Sequence, residues 1–172
     1  NSDHENSSFS YISLEEPDKN LVKKKNGLDR IVKIVGVDQQ SVGFEAEINL
    51  SKKELTKEER ISENAGPTYT LAEIFMAIQL TIEDENYQKA LKKRGIKDLE
   101  LIQIDPWPGG GFVNKNIKKG NRALKAISFL KDSDKDNAYA RPIQGLIAHV
   151  DLTEKKVVEI EDHGVVKIPQ AH

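Results

Sequence analysis

Apolar and polar positions alternate along most of this chain, and the period of that alternation changes twice. Phe9, Tyr11 and Ser13 alternate against Ser10, Ile12 and Leu14, which predicts a strand over Phe9–Glu16, ended by Pro17. Asp29–Val37 places Ile31, Lys33, Val35 and Val37 opposite Val32, Ile34 and Gly36, so both faces are largely apolar. The polar turn Asp38-Gln39-Gln40 leads into Val42–Leu50, where Phe44, Ala46, Ile48 and Leu50 alternate with Gly43, Glu45, Glu47 and Asn49. Two such runs around a polar turn predict a hairpin.

Ser51–Glu63 is charged and weakly patterned, and Gly66-Pro67 punctuates it, so a domain boundary is expected there. The chain then divides into a disordered lead-in over 1–8, a first domain over 9–63 and a second over 64–172. Beyond the boundary the period becomes helical. Thr70 stands three residues before Glu73, the spacing of a capping box, and Leu71, Ile74, Phe75 and Ile78 recur at helical intervals. A second helix is expected over Glu83–Arg94, carrying Tyr87, Ala90 and Leu91 and stopping at Gly95. The period then returns to two, predicting strands at Leu99–Trp107, Arg122–Lys131, Ile143–Leu152 and Lys156–Asp162. The last two flank the polar turn Asp151–Lys155 and read as a hairpin. Helix, helix and then a meander of strands predicts an α+β unit, with helices on one face of an antiparallel sheet. The first half reads as the strands of a similar unit without a leading helix.

Composition adds limits. At 172 residues there is room for one large domain or two small ones, and 26 basic against 28 acidic residues give a formal net charge of −2. That balance predicts neither a nucleic-acid groove nor attraction to an acidic membrane surface. The run Lys23-Lys24-Lys25 reads as a solvated loop, with anion binding as the remote alternative. The chain has no cysteine, which excludes disulfides and thiolate metal sites. No apolar run approaches the roughly 20 residues that span a bilayer, and the polar first residues carry no signal-peptide pattern.

Candidate chemistry is sparse along the chain. His4 and His172 are terminal; His149 and His163 lie on candidate strands and face one another across the predicted hairpin. Two imidazoles make an incomplete copper or zinc site, so half-exposed strand histidines are the plainer expectation. Asp151, Glu159, Glu161 and Asp162 offer carboxylates, but alternating charge on a strand is ordinarily its solvent face. Gly109-Gly110-Gly111 is followed by Phe112-Val113-Asn114, without the Lys-Ser/Thr and helix start of a phosphate loop. There is no Gly-x-Ser-x-Gly or His-Glu-x-x-His sequence. The residues by themselves give no catalytic and no metal site.

Several blocks nevertheless resemble one family. Phe9-Ser10-Tyr11-Ile12-Ser13-Leu14-Glu15-Glu16-Pro17-Asp18-Lys19, the run Phe44–Leu50, Lys93-Arg94-Gly95-Ile96 and Asp105-Pro106-Trp107 lead to two more specific blocks. These are Arg141-Pro142-Ile143-Gln144-Gly145-Leu146 and the run Val158–Val166. Together, over roughly Phe9 to Pro169, they resemble the two N-terminal accessory domains, N2 and N3, of the copper-containing, quinone-dependent primary amine oxidases. The resemblance implies cystatin-like α+β folds for both domains, the first lacking its leading helix. It implies a parent enzyme that converts primary amines to aldehyde, ammonia and hydrogen peroxide, using copper held by three histidines and a tyrosine-derived quinone (topaquinone). Neither signature occurs here: there is no His-x-His pair, and Asn86-Tyr87 is followed by Gln88 on a predicted helix. The expected role is a non-catalytic portion that packs on the catalytic domain of the same polypeptide and shapes substrate access.

By the same resemblance, Pro106 and Trp107, with Tyr139, help line the mouth of the amine channel. Trp107 offers a flat surface to an aromatic amine and a face to a cationic one. Alternatively, Trp107 and Tyr139 pack at a sheet edge or against the catalytic domain. The family implies a homodimeric, exported parent, and the fragment alone is expected to be a monomer. The rival class is a free-standing cystatin-like binding module or protease inhibitor, for which Gln40-Ser41-Val42-Gly43 is one residue out of the inhibitory pattern.

Overall fold

A computed structural model describes residues 6–23, 27–40, 42–62, 66–110, 114–133 and 135–169. The chain separates into two compact units, 1–71 and 72–172. Each contains one antiparallel four-stranded sheet with its strands in sequence order.

The first sheet comprises β1 (Ser8–Leu14), β2 (Ile31–Val37), β3 (Gly43–Asn49) and β4 (Glu54–Arg60). Asp38 builds the β2–β3 turn, because its carboxylate accepts the N–H groups of Gln40 at 2.9 Å and Val42 at 2.8 Å. β1 begins one residue earlier than the pattern predicts; residues 1–5 of the expected lead-in lie outside the described residues. Gly36 is required where it stands, since a Cβ there would come within 2.8 Å of both the Phe44 ring and the Ser8 carbonyl oxygen.

β4 is an element that the hydrophobic pattern missed. All seven of its residues are exposed, and only Leu55 among them is apolar. It is an edge strand held by backbone pairing with β3, and charged side chains are what an edge strand carries in place of an apolar stripe. A single helical turn, α1 (Lys19–Lys23), also escaped the pattern; Asp18 starts it by accepting the Asn20 N–H at 2.7 Å. It buries none of its residues.

Residues opposite one another in an antiparallel pair share a face. The register therefore places Ile12, Ile34, Ala46 and, one pair along, Leu14, Val32, Ile48 and Leu55 on one side of the first sheet. That side is largely apolar and only partly covered: Ala46 is buried, whereas Ile12, Leu14 and Leu55 are all more than half exposed.

The second unit opens with α2 (Leu71–Glu83) and α3 (Glu85–Lys93) and continues as β5 (Ile102–Pro108), β6 (Ala123–Leu130), β7 (Leu146–Asp151) and β8 (Lys156–Asp162). Asp84 caps α3, accepting the N–H groups of Asn86 and Tyr87 at 2.9 Å each. Gly95, at φ +77°, takes the left-handed conformation that ends it. Tyr87, Ala90 and Leu91 of α3 pack with Ile104, Ala126, Leu146 and Ala148 of the sheet. Full burial of a side chain such as Leu91 or Leu146 contributes roughly 1.5–3 kcal/mol.

α2 departs from the expected pattern. Its buried residues are Ala77 and Thr81, with Ile78 and Ile82 packed against the core, whereas Leu71 is 72% and Phe75 65% exposed. Thr81 is tolerated inside because its hydroxyl donates to the Ala77 carbonyl at 2.7 Å. Of the expected stripe of Leu71, Ile74, Phe75 and Ile78, Ile78 packs against the core and Leu71 and Phe75 do not; the smaller Ala77 and Thr81, which allow close approach, are buried instead. Among the described residues no helix is long and apolar enough to cross a membrane.

Candidate functional site

The face of the second sheet turned away from its core carries the residues of interest. The β5–β6 register pairs Gln103 with Phe129, Asp105 with Ile127 and Trp107 with Lys125. β7 adds Ile147 and His149, and β8 adds Glu159 and Glu161. Trp107 is fixed on this face by a hydrogen bond from its indole Nε1 to Asp105 Oδ2 at 2.8 Å, while 56% of the residue stays exposed. The ring is thus held by its own strand and presented to solvent.

Tyr139 reaches the same face from a 3-10 turn, Ala138–Ala140, which the side chain of Asn137 caps at the Tyr139 N–H, 3.2 Å away. Its ring meets Phe129 edge-on, with centroids 4.9 Å apart and planes at 61°. Phe129 lies four residues from Lys125, the partner of Trp107, so a rise of roughly 3.3 Å per residue sets these two β6 positions about 13 Å apart. Trp107 and the Phe129 that Tyr139 touches therefore stand toward opposite ends of the β5–β6 pair. Pro106 lies apart from both. It pairs with Ala126, which is fully buried in the core, so its ring turns toward the helix side. An edge strand accommodates a residue without an N–H.

The β7–β8 hairpin gathers the titratable groups. Glu161 stands diagonally across from His149 and binds both histidines, with Oε2 2.9 Å from His149 Nε2 and Oε1 2.6 Å from His163 Nε2. These two bonds, the one to His149 foremost, hold the Glu161 carboxyl below the usual carboxylate range. The histidines therefore meet through a carboxylate rather than directly. His149 is buried, not half-exposed as its strand position suggested, and His163 lies just past the end of β8 and is exposed. Asp151 is buried as well, receiving the side-chain amide of Asn121 at 2.7 Å and the Glu154 N–H at 2.9 Å, and so it builds the turn. Glu159 accepts the side-chain amide of Asn114 at 2.7 Å. Sequence reasoning passed over Glu161 as a linker, although diagonal neighbours across a hairpin are a recognisable signal once register is known.

Among the described residues no three His, Cys, Asp or Glu side chains form a group able to hold a metal ion, so these residues do not fit copper. Gly109 and Gly110 follow β5, and Gly111 to Val113 lie outside the described residues. The same holds for Lys24 and Lys25 of the lysine run, and for Ser41 in the Gln40–Gly43 segment between β2 and β3.

Comparison with known proteins places this geometry in a family. Residues 72–172 match the family model described as the copper amine oxidase N3 domain. The chain is 33% identical over 167 residues to a primary amine oxidase from Arthrobacter sp. (strain P1), a match covering 95% of this chain and 26% of that protein. It is also 33% identical over 172 residues to a primary amine oxidase from Klebsiella aerogenes, covering 95% of this chain and 22% of the relative. The chain thus spans about a quarter of the length of these relatives. Its fold is similar to part of the crystal structure of a copper-containing benzylamine oxidase from Hansenula polymorpha, with a TM-score of 0.69, 14% identity, and coverage of 93% of this chain and 27% of that one. The chain belongs to the copper amine oxidase family, and residues 72–172 are its N3 domain.

Proposed function

We propose that this chain is the non-catalytic N-terminal portion of a copper- and quinone-dependent primary amine oxidase, packing on the catalytic portion of the same polypeptide and shaping amine access. The N3-domain match over residues 72–172 carries the reading. The chemistry of the parent, oxidation of a primary amine to aldehyde with release of ammonia and peroxide, is assigned to the remainder of the polypeptide. Two surfaces support packing on further chain. One is the partly covered, largely apolar side of the first sheet, where the leading helix implied by the family resemblance would sit. The other is the outer face of the second sheet, which presents Trp107 and Tyr139, each 56% exposed.

In this reading Trp107 meets the organic part of the incoming amine, its indole held rigid by Asp105. Tyr139, against Phe129 toward the other end of the β5–β6 pair, borders the far side of the approach. The test is Trp107→Ala in the complete oxidase, assayed by peroxide release across small alkylamines and arylalkylamines. The expected outcome is a several-fold fall in kcat/KM for the arylalkylamines with methylamine turnover nearly unchanged. An unaltered preference profile would remove Trp107 from the channel.

A further inference from the structure

In the second unit the C-terminal end of α3, the neighbouring ends of β5 and β6, and the segment after β8 enclose an open cleft of about 730 Å³. Arg94, Lys97, Lys131, Arg141 and Lys167 line it, against the two carboxylates of Asp98 and Asp132. Asp162 pairs with Arg94 and Asp136 with Arg141, so the excess of positive charge in the cleft comes from its lysines. Ile96, Leu101 and Leu130 supply apolar wall between the charges. Ile168 packs against the core, so Lys167 beside it is carried on an anchored segment.

The cationic groups are unequally satisfied. Arg94 spends its terminal nitrogens on Asp162 and on carbonyl oxygens within the fold. Arg141 is held more loosely. Its side chain is 10% exposed, and its guanidinium stands 3.8 Å from Asp132 and donates to Asp136 at 3.4 Å; Nε is buried and unbonded in both arginines. Charge-assisted guanidinium–carboxylate bonds close to about 2.7–2.9 Å, so both pairs are loose. Lys97, Lys131 and Lys167 have no ion-pair partner among the described residues.

We propose that this cleft binds a small multivalent oxyanion, one bearing two or more carboxylate or phosphate groups, between Arg141 and the three lysines. A planar guanidinium takes an oxyanion through two parallel bonds, and ammonium groups add charge without fixed geometry. Low-dielectric walls concentrate the field of like charges in a concave site. The cleft is large for one inorganic ion, and its cations come from four separated positions, which selects for more than one anionic group. This site lies outside the hairpin and Trp107 face, and the proposal does not depend on the oxidase reading.

Calorimetric titration of the chain at low salt with tripolyphosphate and, separately, with citrate tests it. At least one probe is expected to saturate a single site. The triple variant Lys97→Ala, Lys131→Ala, Lys167→Ala is expected to weaken that binding at least about tenfold, from roughly two- to threefold per exposed charge pair. Lys19→Ala, Lys23→Ala, Lys115→Ala removes the same charge from other exposed positions and is expected to change binding by less than about twofold. Arg141 is left in place because it is buried, and circular dichroism checks that both variants fold. Saturation by tripolyphosphate alone identifies a phosphate site, by citrate alone a carboxylate site, and by both a site that reads oxyanion charge. Failure of both probes to saturate, or equal weakening by the two triple variants, overturns the proposal.

Discussion

Replacing Arg94 with Met tests how the second unit is closed at the end of α3. The Arg94 side chain is 1% exposed, and its guanidinium donates to Ala90 O at 3.0 Å, Gly145 O at 3.2 Å, Asp162 Oδ1 at 2.7 Å and Gly164 O at 2.7 Å. One side chain thus joins α3 to the start of β7 and to the segment after β8. Breaking a buried ion pair costs about 3–5 kcal/mol, and the partial solvation of Asp162 points to the low end, about 3 kcal/mol. Counting the three carbonyls that lose a donor, at about 1 kcal/mol each, reaches a similar figure. Trp107 is the single tryptophan and lies in this unit, so its fluorescence follows unfolding of the second unit in urea. With a slope of about 1.5 kcal/mol/M the midpoint falls by about 2 M. Arg94→Lys keeps the charge but loses the fork that serves several acceptors, and should fall between wild type and Met.

The same variant has a pH signature. Arg94, and after it the Gly164 N–H, hold the Asp162 carboxyl below the usual carboxylate range. A depressed carboxyl adds stability that is present above its unfolded value and is lost as pH falls through the folded one. Arg94→Met should therefore flatten the loss of stability on the acid side. A midpoint shift under about 0.5 M with unchanged slope would refute the reasoning.

Three further outcomes are expected. Tyr87→Phe leaves the buried Ser128 hydroxyl without its 2.6 Å partner and should cost about 1–2 kcal/mol. Burial pushes the Tyr87 phenol up to about 12, so ultraviolet titration should show one tyrosine ionising late. Its stabilising share is whole below about pH 10, is lost as pH rises toward 12, and should vanish in the Phe variant. Asp84→Ala removes the α3 cap and should lower stability by about 1 kcal/mol in urea, with Asp84→Asn retaining most of it. Glu161→Gln removes a depressed carboxyl whose contribution is present above about pH 4.5 and fades as acid protonates it, so the acid limb of the stability profile should flatten.

Most of the strands were legible because each, apart from β4, carries an apolar stripe with a period of two. β8 matches its expected span, and the others end within a few residues of it. β4 was illegible for the opposite reason: an edge strand whose side chains all face water leaves no hydrophobic trace. The inward face of α2 was misread in part: Ile78 packs against the core as expected, but Leu71 and Phe75 outweigh Ala77 and Thr81 on any hydrophobicity scale, and it is the small pair that is buried. At the candidate site, Trp107 and Tyr139 were nominated by the family resemblance and not by any pattern in the residues themselves. Their spacing, the turning of Pro106 to the core side, and the sharing of Glu161 by two histidines all depend on register, which single-strand patterns do not encode.

The measurement that bears most directly on the account is capture of the native protein from its source with an antibody to this chain, followed by intact mass and peroxide release with primary amines. The account predicts a polypeptide several times the 19.3 kDa of this chain that releases peroxide in a copper-dependent manner. A native protein near 19.3 kDa, inert toward every amine with copper supplied, would contradict it.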